Sequence, residues 1–110
     1  MGNPLVTDEF ITRWVDVQRA PGHRDILMAT LGGAGGAADP AALATIRVPT
    51  LIQWGEGDPL IGVDAARRFN EAIPGSRLVV YPGLGHMPHL EAPEQTAADA
   101  QVFLREALAN

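Results

Sequence analysis

Residues 50–81 read TLIQWGEGDPLIGVDAARRFNEAIPGSRLVVY, and this stretch decides the fold. It begins with an apolar, β-prone run at residues 50–54 and ends with a second such run at residues 76–81, which predicts two short strands. Between them, residues 63–73 carry alanine, phenylalanine and isoleucine at the spacing of a helix that buries one face. The order strand, helix, strand predicts a right-handed crossover between parallel strands, and hence an α/β fold.

The residues after the second strand are predicted to form a turn, PGLGH at residues 82–86, and then a long helix. This helix begins at residue 93 or 94 and runs to about residue 109. Glu91 and Glu94 lie near its start, where carboxylates meet the helix dipole favourably. Its spacing predicts a buried face made of Ala97, Ala98, Val102, Phe103 and Leu108.

Two further helices are predicted upstream. Thr7 caps the first, whose apolar stripe includes Phe10 and Trp14, and residues 23–31 form the second. The run GGAGG at residues 32–36 then interrupts the helical pattern and is typical of a flexible joint.

These features divide the chain into two parts. Residues 1–36 form a helical segment with its glycine-rich joint. Residues 37–110 contain the strand-helix-strand-helix order, preceded by a short helix at Asp39-Pro40. Two parallel strands do not form a stable sheet alone, so we expect further strands or a covering partner to complete it.

Composition excludes several classes of function. The chain has 110 residues, enough for one small domain, and a net charge of −5, which argues against nucleic-acid binding. It contains no cysteine, so disulfides and thiolate chemistry within the chain are ruled out. No apolar run approaches the length of a membrane span, and residues 1–8 show no signal-peptide pattern. We therefore expect no membrane partner and a cytoplasmic location.

Two titratable residues follow the two predicted strands. Asp58 lies four residues past Trp54, and His86 lies five residues past Tyr81. Because the carboxyl ends of parallel strands meet at one edge of a sheet, where α/β active sites gather, we expect the two side chains to pair. The carboxylate would orient the imidazole, and the imidazole would act as a base toward a nucleophile.

The segments that hold these residues resemble the α/β-hydrolase fold family. Residues 49–58, PTLIQWGEGD, are similar to the family's seventh-strand segment, where the triad acid closes a Gly-x-x-Asp turn. Residues 82–94, PGLGHMPHLEAPE, are similar to the segment after the eighth strand, where the triad histidine follows Gly-x-Gly. The resemblance implies that Asp58 is the acid and His86 the base, in the family's chain order. It also implies that residues 5–36 correspond to the end of a lid.

The family's nucleophile elbow is absent from the sequence. No Gly-x-Ser-x-Gly motif precedes Asp58, and the only serine, Ser76, begins a strand instead of following one. We therefore expect a C-terminal portion of a hydrolase whose nucleophile, Ser, Asp or Cys, comes from an N-terminal part of the same protein or from a companion chain. The isolated chain would be nearly inert.

Other roles complete the expectations. Leu60, Ile61 and Met87 are candidates for lining a pocket for a small-molecule substrate. No cofactor is implied, and His89 lacks the further ligands of a metal site. Ester hydrolysis is the leading reaction, with dehalogenase-like and perhydrolase-like chemistries open. The alternative is a non-catalytic module that forms a homodimer through its strand edges and keeps Asp58 and His86 as relics.

Overall fold

The computed structural model describes residues 6–33 and 39–109. The chain divides into two compact units, Met1–Ala37 and Ala38–Asn110. Of the predicted glycine-rich joint, residues 34–36 lie outside the described residues, and Gly32 and Gly33 belong to a helix.

The first unit contains two helices, α1 (Asp8–Arg19) and α2 (His23–Gly33). As predicted, Thr7 caps α1: its side-chain oxygen accepts a hydrogen bond from the Phe10 N–H at 3.1 Å. Phe10 and Trp14 stack with ring centroids 6.1 Å apart. No residue of α1 is buried, so the apolar stripe predicted from the sequence is not covered by the described residues. Within this unit α1 has only α2 as a described partner, which is too little to cover the stripe.

The second unit is built around two parallel strands, which confirms the predicted α/β class. Its elements are α3 (Pro40–Leu43), β1 (Leu51–Gly55), α4 (Val63–Ala72), β2 (Arg77–Tyr81), α5 (Pro88–Glu91) and α6 (Pro93–Leu108). The strands pair in register from Leu51 opposite Arg77 to Gly55 opposite Tyr81. Helix α5 was not predicted, because a single helical turn is too short to show a hydrophobic period.

Helices α4 and α6 cover opposite faces of the strand pair. Trp54 packs against Phe69 of α4, with centroids 6.4 Å apart. The neighbouring side chain, Gln53, donates a hydrogen bond to the Thr96 carbonyl of α6 at 2.9 Å. Since successive side chains of a strand point to opposite faces, the two helices lie on different sides of the sheet.

A polar network fixes α6 to the sheet. Gln53 donates to the Tyr81 hydroxyl at 2.7 Å, and that hydroxyl donates to Asp99 at 2.8 Å. Tyr81 and Thr96 are almost completely buried, with 1% and 3% of their surfaces exposed. These hydrogen bonds stabilise the fold, because a buried polar atom without a partner would lower the free energy of unfolding.

This network also corrects the predicted inner face of α6. Ala97, Ala98, Val102 and Leu108 are exposed, and only Phe103 of the predicted set is half-buried. The face toward the sheet instead runs through Thr96 and Asp99. The apolar pattern was misleading because polar residues make the contacts that orient the helix.

The described core is small. Its buried apolar side chains are Ala66, Ile73 and Tyr81, whereas Val48, Val102 and Leu108 are 46–84% exposed. An α/β sheet is normally covered along both faces and flanked by further strands. This exposure is therefore what a partial α/β fold produces. Among the described helices, none is long and apolar enough to cross a bilayer.

Candidate active site

Asp58 lies in the loop that follows β1, and the loop is shaped around its carboxylate. One oxygen, Oδ1, accepts hydrogen bonds from the N–H groups of Leu60 at 2.8 Å and Ile61 at 3.0 Å. The Ile61 carbonyl in turn accepts a hydrogen bond from the Trp54 indole at 3.1 Å. The end of β1 and the loop that carries Asp58 are thus joined by hydrogen bonds. The second carboxylate oxygen of Asp58, Oδ2, takes no part in these bonds.

His86 lies in the turn after β2 and uses that second oxygen. Its Nδ1 is 2.8 Å from Oδ2 of Asp58. The Asp58 side chain is 4% exposed, whereas the His86 side chain is 43% exposed. The structure therefore brings the two predicted residues together, with the acid covered and the imidazole open to its surroundings.

The two turns are held against each other by backbone contacts. The Glu56 N–H donates to the Tyr81 carbonyl at 3.0 Å, and the Gly57 N–H donates to the Leu84 carbonyl at 2.9 Å. Gly55 permits this approach: a Cβ atom built on it would lie 2.0 Å from the Gly85 carbonyl oxygen. Any side chain at position 55 would separate the acid loop from the histidine turn.

The environment favours an ionised Asp58. Desolvation is the largest single influence on the pKa of this carboxyl and raises it. The hydrogen bonds from His86, Ile61 and Leu60, with the charge of His86, outweigh desolvation together and lower the pKa below its usual value of 3.8.

An ionised carboxylate can only accept hydrogen bonds, so Nδ1 of His86 is the donor. The other ring nitrogen, Nε2, has no hydrogen-bond partner among residues 6–33 and 39–109. In a neutral imidazole this nitrogen is the basic one. This arrangement leaves Nε2 able to accept a hydrogen bond or a proton from another group.

A cavity of about 410 Å³ borders the pair. It is lined by Gln53, Trp54, Gly55, Asp58, His86, Pro88 and His89. A larger recess of about 520 Å³ runs along α1, but it contains neither Asp58 nor His86. We take the smaller cavity as the candidate site because it combines a concave surface with a paired acid and base.

The residues predicted to line a substrate pocket lie near this cavity in sequence but do not form its wall. Leu60 is 73% exposed, Ile61 47% and Met87 39%. Their contact with substrate stays a prediction. Gln53 and His89 were not predicted as pocket residues, because Gln53 lies within a strand and His89 in the unpredicted helix α5.

Ser76 lies away from the site. It precedes Arg77, the first residue of β2, whereas His86 follows the last residue of that strand. Its hydroxyl donates to Asn70, at 3.0 Å to Oδ1. Across the described part of the chain, no group of three or more His, Asp or Glu side chains is placed to hold a metal ion.

Comparisons with known proteins agree with this architecture. A model described as the alpha/beta hydrolase family matches residues 3–100. Lipase 3 of Moraxella sp. (strain TA144) is 33% identical over 61 residues, which are 56% of this chain and 19% of the lipase. A 2-hydroxy-6-oxononadienedioate/2-hydroxy-6-oxononatrienedioate hydrolase of Pseudomonas sp is 32% identical over 88 residues, 78% of this chain and 31% of that enzyme.

The same likeness holds in three dimensions. The crystal structure of a serine hydrolase involved in carbazole degradation superposes with a TM-score of 0.81 at 27% identity, covering 91% of this chain and 40% of that one. The chain spans about a fifth to a third of the length of the curated relatives named above.

Proposed function

This chain belongs to the alpha/beta hydrolase family, and on that premise we propose that it supplies the acid and the base of a hydrolytic catalytic triad. Asp58 is the acid and His86 the base. The observation that carries the proposal is the 2.8 Å contact between them, at the carboxyl ends of two parallel strands and beside a cavity. In α/β sheets this edge is where catalytic groups gather.

The proposed roles build on the hydrogen bond between Nδ1 of His86 and Oδ2 of Asp58. Nε2 of His86 removes the proton from a nucleophilic hydroxyl or thiol as that group attacks the substrate carbonyl; with an aspartate nucleophile, it removes a proton from water in the second step. Asp58 stabilises the imidazolium that forms. The imidazolium then returns the proton to the leaving group, and the base is restored.

The nucleophile is proposed to lie outside this chain. The sequence has no cysteine, and Ser76 lies at the wrong end of β2. The small core, and the two strand edges that no other described strand pairs with, favour a partner that adds strands and carries the nucleophile, either an N-terminal part of the same hydrolase or a companion chain.

The proposed substrates are esters or related small carbonyl compounds. The lipase match favours esters. Compounds of the 2-hydroxy-6-oxo-dienedioate type are the second candidate class. The match to a hydrolase of such compounds supports them, since it covers 78% of this chain, against 56% for the lipase. In an assembly that also contains the nucleophile, a panel of short-chain aryl esters and one 2-hydroxy-6-oxo-dienoate would separate these two substrate classes by kcat/KM.

The proposal is tested by treating the native source with a serine-reactive fluorophosphonate and separating the proteins under native conditions. We expect this chain to co-purify with a labelled polypeptide, or to be recovered as part of one. In that labelled assembly, His86→Ala should abolish labelling, whereas the control His23→Ala should preserve it.

Two results would count against the proposal. If the chain migrated alone or as its own dimer and no partner took the label, the non-catalytic homodimer would be the better account. If His86→Ala left labelling and hydrolysis unchanged, the assignment of the base would be wrong.

A further inference from the structure

Glu91 binds the backbone on both sides of His86. Its Oε2 accepts a hydrogen bond from the Gly85 N–H at 2.9 Å, and its Oε1 accepts one from the Met87 N–H at 3.3 Å. A role for Glu91 at the dipole of the last helix was expected from the sequence. In the structure it instead ends α5 and its carboxylate turns back toward the histidine turn.

Helix α5 is folded so that this return is possible. Met87 precedes the helix, and its carbonyl accepts hydrogen bonds from the N–H groups of Leu90 at 2.9 Å and Glu91 at 3.0 Å. Met87 and Glu91 therefore bind each other twice, once by backbone and once through the carboxylate. This reciprocity resembles the capping box of helix N-termini, in which a glutamate side chain reaches back to the N-cap amide.

Gly85 fits closely between Glu91 and the acid loop. A Cβ atom on Gly85 would lie 3.1 Å from Oε1 of Glu91. The carbonyl oxygen of Gly85 lies so close to Gly55 that residue 55 has no room for a side chain. Gly85 is thus bound by Glu91 through its N–H, while its carbonyl oxygen, which belongs to the next peptide group, lies close against Gly55 of β1.

From these contacts we infer that Glu91 is a positioning residue for His86. Its carboxylate binds the N–H groups of Gly85 and Met87, the residues on either side of the histidine, so that the imidazole stays aligned with Asp58. Hydrogen bonds to an ionised carboxylate are stronger than neutral ones, which suits a turn that is exposed to solvent. The catalytic meaning of the inference rests on the proposed function, whereas the alignment itself does not.

The experiment uses NMR on the full chain in four forms: the wild type, Glu91→Gln, Glu91→Ala and the control Glu94→Gln. The control removes one carboxylate charge three residues away, in the first turn of α6. Two quantities are measured: the solvent-exchange rates of the Gly85 and Met87 amides, and the Nδ1–H proton signal of His86. His86→Ala assigns that signal among the three histidines.

For Glu91→Gln we expect exchange of the two amides to quicken about tenfold, since hydrogen bonds to a charged acceptor are lost. The side-chain amide would also direct an N–H group at one of the two backbone N–H groups. The His86 Nδ1–H signal should broaden or disappear as the imidazole leaves Asp58. Glu94→Gln should leave both readings unchanged.

The inference is overturned if Glu91→Gln preserves the amide exchange rates and the Nδ1–H signal. Glutamine has nearly the volume of glutamate, so this variant decides the matter even if Glu91→Ala does not fold. In an active assembly, the same substitution should lower kcat about tenfold with KM little changed, as expected when an interaction that aligns the base is lost. An assembly that never hydrolyses anything would contradict the proposed function, while the NMR readings would still decide the role of Glu91.

Discussion

Gly55 and Gly85 approach each other so closely that a Cβ atom on Gly55 would overlap the Gly85 carbonyl oxygen, 2.0 Å away. The first residue ends β1 and the second directly precedes His86. The contact therefore joins the acid-bearing loop to the histidine turn through main chain alone.

Gly55→Ala should disrupt this junction. We expect the free energy of unfolding to fall by about 2 kcal/mol or more. Adding a methyl group to a packed core costs a similar amount, and here the new methyl group would overlap main chain, which moves less easily than a side chain. Denaturant unfolding measures the loss. Gly62→Ala is the matched control, since a Cβ atom on Gly62 meets nothing within 4 Å. Equal stability of the two variants would show that the turns separate without cost.

Asp58→Asn should lower kcat/KM of an active assembly roughly 10⁴-fold, as expected for loss of a triad carboxylate that orients the histidine. The amide can present an N–H group to Nδ1, which would favour the wrong tautomer of His86. The control is Asp64→Asn, which removes an exposed carboxylate of α4 paired with Arg67. Steady-state kinetics on both variants decides; similar losses in both would contradict a specific role for Asp58.

The lowered pKa of Asp58 makes its contribution to stability depend on pH. Because the folded-state pKa lies below the unfolded value of about 3.8, the contribution is fully present above that value. It disappears as the pH falls through the lower, folded-state pKa. Unfolding free energies of the wild type and Asp58→Asn should therefore differ at pH 6 and converge in strong acid. A difference that grew in acid would contradict the hydrogen bonding of the ionised carboxylate.

Tyr81 is the only tyrosine, so its titration can be followed without assignment. Burial raises its pKa above 10.0 and the hydrogen bond to Asp99 adds to this, while the hydrogen bond from Gln53 acts in the opposite direction. The associated stability is present below the unfolded value and is lost as the pH rises through the folded-state pKa. Phenolate absorbance should thus appear at higher pH in the folded chain than in urea. Asp99→Asn should move the midpoint back toward the unfolded one.

The paired acid and base could be predicted from sequence because each follows an apolar strand. A strand-helix-strand crossover implies parallel strands, and parallel strands bring Asp58 and His86 to the same edge of the sheet. That step needs only residue type, order and the geometry of parallel strands. The two strands were likewise predicted to within one residue at each end, since their apolar runs end at glycine and proline.

Glu91 and the inner face of α6 could not be predicted in this way. Glu91 binds backbone N–H groups, and the direction of a backbone N–H group cannot be inferred from residue types. The face of α6 was assigned from its apolar residues, but Thr96 and Asp99 make the inward contacts. Large apolar residues on its other faces are exposed because no further strand among residues 6–33 and 39–109 covers them. Both differences arise because polar hydrogen bonds that the sequence does not encode directly determine the packing at these places.

Asp58 and His86 are only 28 residues apart in sequence, and a single crossover connects them. A loop of that size closes with a smaller entropic penalty than one spanning a whole hydrolase, although the penalty grows only slowly with length. His86 and Asp58 are therefore a local unit, whose alignment depends on β1, β2 and the crossover between them. Under the proposed roles, a hydrolase divided upstream of β1 would keep Asp58 and His86 paired on one piece, and reassembly would bring the nucleophile and the other groups of the site to an imidazole already in place.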